Sequence, residues 1–255
     1  MTSHAIRAHE TGGPEVFKWE EVEVGDPGPG EIRITHEAVG LNYIDIYQRT
    51  GLYPVGDPPF IVGLEGAGRI EAVGEGVSDV AVGDHVAYAA PPMGAYAEVR
   101  LMAADRVVKI PSSIGDETAA AMMLKGMTVE YLLRRTYEVK PGDTILFHAA
   151  AGGVGLIACQ WAKALGATVI GTVGSDEKAE LARAHGCDHP IVYTREDFVK
   201  RTREITDGVG VPVVYDSVGK DTFEQSLDCL APRGLMASFG QSSGSVAEFN
   251  PGVLA

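Results

Sequence analysis

The chain has 255 residues, 45% hydrophobic and 22% charged, which is the composition of a globular protein with room for two modest domains. Its formal net charge of −14 argues against a general nucleic-acid surface, so any anionic ligand must be held by local donors. Cys159, Cys187 and Cys229 are too few and too widely spaced for a disulfide framework or a zinc knot, and are expected as reduced thiols in a cytoplasmic protein.

The first residues, "MTSHAIRAHETG", lack the apolar core of a signal peptide. Residues 1 to about 110 then read as short alternating strands bounded by Gly, Pro, Asp or Asn. They are "EIRITHEAVGL" (31–41), "GAGRIEAVGEGV" (66–77), "GDHVAYAA" (83–90) and "GAYAEVRL" (94–101). This spacing predicts a partly open β-barrel. The proline- and glycine-rich stretch 50–63 reads as a surface loop.

From Asp116 the rhythm changes. "DETAAAMMLKGMTVEYLLRRTYEVKPGD" opens on acids, carries apolar residues at helical spacing and stops at Pro141-Gly142. Strands are then predicted at 144–149, 168–173, 190–193, 212–216 and 235–239, with helices near 154–166, 176–185, 195–206 and 221–231. Such alternation predicts an α/β domain whose parallel sheet is covered on both faces, a doubly wound Rossmann arrangement.

The stretch 146–178, "LFHAAAGGVGLIACQWAKALGATVIGTVGSDEK", is too interrupted by glycines and Lys163 to cross a membrane. It has the outline of a dinucleotide site: a strand, a turn of small residues, a helix and a second strand. Gly152 and Gly153 let backbone approach a pyrophosphate, Gly155 lets the helix pack on the sheet, and the helix beginning near Val154 aims its N–H groups at the phosphates. Ala150 stands where a glycine is usual, which is harmless if its φ is negative. The second strand does not end on the acid that takes ribose hydroxyls in NAD sites. Gly174 and Ser175 stand there, followed by Lys178, while Asp176 and Glu177 are expected to begin the next helix. A carboxylate 4 Å from a 2′-phosphate costs on the order of 4 kcal/mol at an effective dielectric near 20. Its replacement by a hydroxyl and an ammonium favours NADPH.

On "GGPEV" (12–16), "GLNYIDIYQRTGLYP" (40–54), "GLEGAG" (63–68), "LKGMTVEYLLRRTY" (124–137) and "VVYDSVGKDTFEQSLDCL" (213–230), the whole chain resembles the zinc-independent quinone oxidoreductases of the medium-chain dehydrogenase/reductase superfamily. The resemblance implies a GroES-like catalytic domain over 1–124 and an NADP-binding Rossmann domain over 125–255. It also implies that the metal-ligand places of zinc alcohol dehydrogenases fall at Asn42, Leu64 and Leu124, which offer zinc no ligand, so no metal is expected. The expected activity is hydride transfer from NADPH to a quinone. Asn42 and Tyr47 are the catalytic candidates, and Tyr43, Asp45 and Tyr53 are the substrate-binding ones. Gly152, Gly153 and Val154 are assigned to the pyrophosphate, and Gly174, Ser175, Lys178 and Tyr193 to the adenosine phosphate end. Asn42, Thr128, Tyr131, Ser217, Val218, Phe239, Gly240 and Ser242 line the rest of the cofactor cleft. His148, a lone histidine at a strand end, is expected to be packed and hydrogen bonded rather than catalytic.

Two rival readings stay open: an NADPH-dependent reductase of activated double bonds such as enones, and a non-catalytic NADPH- or RNA-binding, crystallin-like protein. For the latter, "RRTYEVK" (134–140) is the one modest basic candidate. The sequence stops after the fifth strand of a six-stranded order, so the C-terminal strand and tail are expected to be missing. The full-length form is expected to be a homodimer.

Overall fold

Alternation along the strands decides which face of each sheet is buried. In a computed structural model, which describes residues 1–254, the chain divides into two units, residues 1–124 and 125–255. The first unit comprises β1 (Thr2–Ala8), β2 (Phe17–Glu23), β3 (Glu31–Gly40), α1 (Tyr43–Arg49), β4 (Phe60–Ile61), β5 (Glu65–Val73), β6 (His85–Ala89), β7 (Val99–Ala103) and β8 (Val108–Lys109). They form an antiparallel five-stranded sheet in the order β7-β3-β5-β6-β8 and a three-stranded sheet β2-β1-β4, bridged at Ala5 and Ala97. Ile32 and Ile34 of β3 point inward onto Ile70, Val86, Tyr88 and Met102, and each fully buried aliphatic contributes roughly 1.5–3 kcal/mol.

This is the barrel-like architecture the turn spacing predicts, with two additions. The paired strands β1 and β2 were not expected; β2 lies at the edge of its sheet and is half exposed. Within 50–63, Phe60 and Ile61 pair with β1 instead of remaining in a loop.

A helix, α2 (Asp116–Tyr131), follows, and the second unit then builds on β9 (Thr144–Phe147), α3 (Gly153–Ala164), β10 (Thr168–Val173), α4 (Asp176–Ala184), β11 (His189–Val192), α5 (Phe198–Ile205), β12 (Val211–Asp216), α6 (Phe223–Cys229) and β13 (Leu230–Ser238). Its five strands are parallel, in the order β11-β10-β9-β12-β13. Ile145, Phe147, Val169, Val213 and Tyr215 pack on one face with Ala158 and Cys159 of α3. The alternate residues Leu146, Ile170, Ile191 and Val214 pack on the other with Phe198 and Cys229. A sheet buried on both faces needs such continuous apolar strands.

Several boundaries differ from the sequence reading, β7 starting at Val99 rather than 94 and β13 at Leu230 rather than 235, and two of the differences have a visible cause. The helix expected to run towards Pro141 ends at Tyr131 and passes into a π turn over Leu132–Thr136, where the Tyr215 hydroxyl donates to the Leu132 carbonyl at 3.1 Å. The helix expected from 195 begins at Phe198, because the Asp197 side chain caps it, accepting from the N–H groups of Val199 (2.9 Å) and Lys200 (3.0 Å).

Candidate active site

In the second unit a cleft of about 730 Å³ opens at the C-terminal ends of the parallel strands. Gly152, Gly174, Lys178, Tyr193, Val218 and Ser242 line it, six of the residues expected on the cofactor. The turn after β9 is built by an unexpected residue: Ala149, not Ala150, takes the left-handed conformation (φ 53°), at a cost on the order of 1 kcal/mol for a side chain with a Cβ. Ala150 keeps clear of positive φ, the condition under which an alanine there is harmless. Gly155 meets the expected close approach, since a Cβ would lie 2.6 Å from the Ala150 carbonyl oxygen. The N-terminus of α3 thus begins at Gly153, with Gly152 as N-cap, and Val154 follows in its first turn.

At the far end of the cleft Ser175 is the N-cap of α4, its hydroxyl accepting from the Lys178 N–H at 3.3 Å. Asp176 begins the helix, as its position after Ser175 suggests. The Tyr193 hydroxyl lies against Gly174, where a side chain would meet it at 3.1 Å. Ser217 and Gly240 are back to back at the ends of β12 and β13, and the Ser242 N–H donates to the Ser217 carbonyl at 3.1 Å. Phe239 is drawn inward onto Phe147, with ring centroids 5.8 Å apart. On α2, Tyr131 is partly exposed; burial raises its phenol pKa and a hydrogen bond with Thr128 opposes the rise.

Sequence reasoning missed Asp216. It is fully buried at the end of β12; Oδ1 accepts from the N–H groups of Val218 (2.7 Å) and Gly219 (3.1 Å), and Oδ2 accepts from the Thr222 hydroxyl at 2.8 Å. It therefore shapes the loop that carries Ser217 and Val218. The available signal was an acid closing a strand just before a glycine turn.

His148 is fully buried, with Nδ1 2.8 Å from the Thr172 hydroxyl and Nε2 2.8 Å from that of Ser226. Ser226 spends its own proton on the Thr222 carbonyl (2.7 Å), so Nε2 donates and Nδ1 accepts, leaving a neutral ring fully satisfied. Burial lowers its pKa to about 4, against the opposing pull of Asp216. This is the packed histidine expected.

In the first unit the stretch 42–53 gathers the acceptor-site candidates. Asn42 caps α1, and its N–H donates to Asp45 Oδ2 at 2.9 Å in a capping box. Asp45 is 3% exposed and also accepts from the Tyr96 hydroxyl at 2.8 Å. Asp45 Oδ2 thus serves both the helix cap and the Tyr96 hydroxyl. Tyr47 is buried between Tyr43 (centroids 5.2 Å) and Tyr53 (4.9 Å), while Tyr43 is exposed. The Asn42 amide donates through Nδ2 to Glu65 at 2.6 Å. The sequence signal for this helix cap is the N-x-x-D spacing of Asn42 and Asp45.

Comparison with known proteins agrees with these two units. The family described as "Alcohol dehydrogenase GroES-like domain" matches residues 28–112, and "Zinc-binding dehydrogenase" matches 153–255. The chain is 57% identical over 243 residues to a quinone oxidoreductase of Pseudomonas aeruginosa, covering 95% of this chain and 75% of that protein. It is 54% identical to a 2-haloacrylate reductase of a Burkholderia species, covering 92% of this chain and 72% of the relative. The crystal structure of Escherichia coli quinone oxidoreductase complexed with NADPH superposes with a TM-score of 0.97 at 53% identity, covering 100% of this chain and 77% of that one. With fold, turn and relatives in agreement, the chain belongs to the quinone oxidoreductases of the medium-chain dehydrogenase/reductase superfamily.

Proposed function

We propose that this protein is an NADPH-dependent quinone reductase that works without a metal. The observation that carries the cofactor choice is the end of β10, where Gly174 and Lys178 line the cleft and Ser175 caps α4, in place of a ribose-binding acid. The first turn of α3 offers backbone N–H groups to a pyrophosphate, and Lys178 with Tyr193 receives the 2′-phosphate. Val218, Ser242 and the loop held by Asp216 line the cleft further on.

Zinc, named in one matched family description, does not fit these residues. Among the described residues no group of three or more His, Cys, Asp or Glu side chains could hold a metal ion. Asn42 directs its amide at Glu65, and Leu64 and Leu124 offer no ligand atom in their side chains. Bound NADPH supplies a hydride, and a quinone accepts it readily because its carbonyls are conjugated with the ring. Asn42 orients the acceptor or the nicotinamide amide, with Tyr43 and Tyr53 around it, and Tyr47 hydrogen-bonds a quinone oxygen. Thr128 and Tyr131 flank the cofactor from α2. No helix is long and apolar enough to cross a membrane among the described residues.

Reduction of activated double bonds is the second reading, favoured by the relative named 2-haloacrylate reductase. The same proposal takes the assembled protein as a homodimer and as cytoplasmic. NADPH oxidation followed against a panel of quinones and enones tests the main reading. Rapid turnover of quinones supports it; turnover of enones alone would replace it with the second.

A further inference from the structure

Asp176 sets a negative charge two residues before the cleft-lining Lys178, and Arg195, from another loop, answers it. Asp176 is the first residue of α4, between the Ser175 cap and Lys178. Arg195, in the loop between β11 and α5, grips it with both arms: NH1 donates to Oδ2 at 2.7 Å and NH2 to Oδ1 at 2.5 Å. Arg195 stands in that loop because Asp197 starts α5 only at Phe198, and it follows Tyr193, another cleft residue, by two positions. The hydrogen bonds from Arg195 hold the Asp176 carboxyl below its ordinary range.

Both side chains are more than half exposed (55% and 76%), and exposed pairs contribute little to folding. Stability therefore gives no strong reason for this pair, but its position does. Asp176 follows the Ser175 cap at the end of β10, two residues before the cleft-lining Lys178, and a negative charge so close to a bound 2′-phosphate would repel it. Two acids that line the cleft near Tyr193 have other duties: Glu196 accepts the Val192 N–H at 2.9 Å and pairs with Arg201, and Asp197 caps α5.

We infer that the Asp176–Arg195 pair is a specificity determinant of this site, with Arg195 cancelling a carboxylate that would otherwise disfavour a 2′-phosphorylated dinucleotide. The inference rests on the cofactor reading above. With the pair intact the local charge is zero; losing Arg195 leaves one negative charge, and losing both returns it to zero.

The test is fluorescence titration of the purified chain with NADPH and NADH, at low and at physiological ionic strength. Arg195→Ala should weaken NADPH about three- to tenfold at low salt and less at higher salt, with NADH changed by less than about twofold. The double variant Arg195→Ala/Asp176→Asn should return NADPH to within about twofold of the parent. Equal loss for both cofactors, no loss for NADPH, or no recovery in the double variant would overturn the inference. Lys178→Ala, titrated alongside, separates the two levels. If it weakens NADPH and Arg195→Ala does not, the cofactor reading stands and the pair has no part in specificity. If Lys178→Ala leaves NADPH binding intact, both fall.

Discussion

Glu65 Oε2 accepts a hydrogen bond from Asn42 Nδ2 at 2.6 Å, while Oε1 of the same carboxylate accepts the Leu124 N–H at 2.7 Å. A fully buried carboxylate thus ties together two of the places that hold a metal in zinc alcohol dehydrogenases. Glu65→Gln turns one of its two acceptors into a donor facing another donor. The expected result is a loss of roughly 1.5–3 kcal/mol in urea unfolding, with turnover falling as Asn42 loses its tether. A variant as stable and active as the parent would show that the tie does nothing.

Lys178→Ala should weaken NADPH roughly ten- to hundredfold and leave NADH nearly unchanged, because only NADPH carries the 2′-phosphate. Equilibrium titration with each cofactor measures this. An equal loss for both would place Lys178 on a part of the dinucleotide that the two share.

Metal analysis gives an independent check. The purified protein should contain no stoichiometric zinc, and chelators should leave turnover unchanged, since the places at Asn42, Leu64 and Leu124 provide no ligand set. One zinc per chain, lost together with activity, would sink the metal-free mechanism.

His148 predicts an acid limb in stability. Its ordinary pKa is 6.5, and burial lowers the folded value to about 4. Between these values the unfolded chain binds more protons, so stability falls as pH drops through that window and levels off below it. The slope is at most about 1.4 kcal/mol per pH unit for this one group. His36, with its Nδ1 2.6 Å from the Ala97 carbonyl, is also lowered to about 4, chiefly by burial, and adds a second such limb in the first unit. His148→Asn should be less stable near neutrality but show a shallower decline towards acid. Parallel declines in parent and variant would remove His148 from the account.

What the sequence disclosed, and what it hid, follows from how far apart the interacting residues lie. The strand at 168–173, the glycine turn and the missing ribose acid are local patterns, and the structure places them where the spacing predicts. Asp176 was legible as a helix start, because a serine before two acids is a capping signal. Its partner Arg195 was not, since nothing in the intervening residues marks which arginine will return to it. Asn42 was legible as a candidate, but its anchor on Glu65 depends on the pairing of β3 with β5. The π turn at Leu132–Thr136 was hidden for a similar reason: the hydroxyl that bonds its first carbonyl comes from Tyr215, on β12. The half-exposed β2 escaped because an edge strand need not alternate cleanly.

The all-parallel sheet also orders events during synthesis. No two of its strands can close as a hairpin, and β9 must wait for its partner β12 until α3, β10, α4, β11 and α5 have all been made. In the first unit β5 and β6 can pair early because they are close in sequence, and even the distant partners β3 and β7 are complete before β9 is made. As the chain leaves the ribosome, the barrel residues can therefore gather while half of the nucleotide-binding sheet is still unmade. In that interval Leu146 and Ile170 present the face that Phe198 and Cys229 will later cover, so apolar surface is more open during synthesis than after folding.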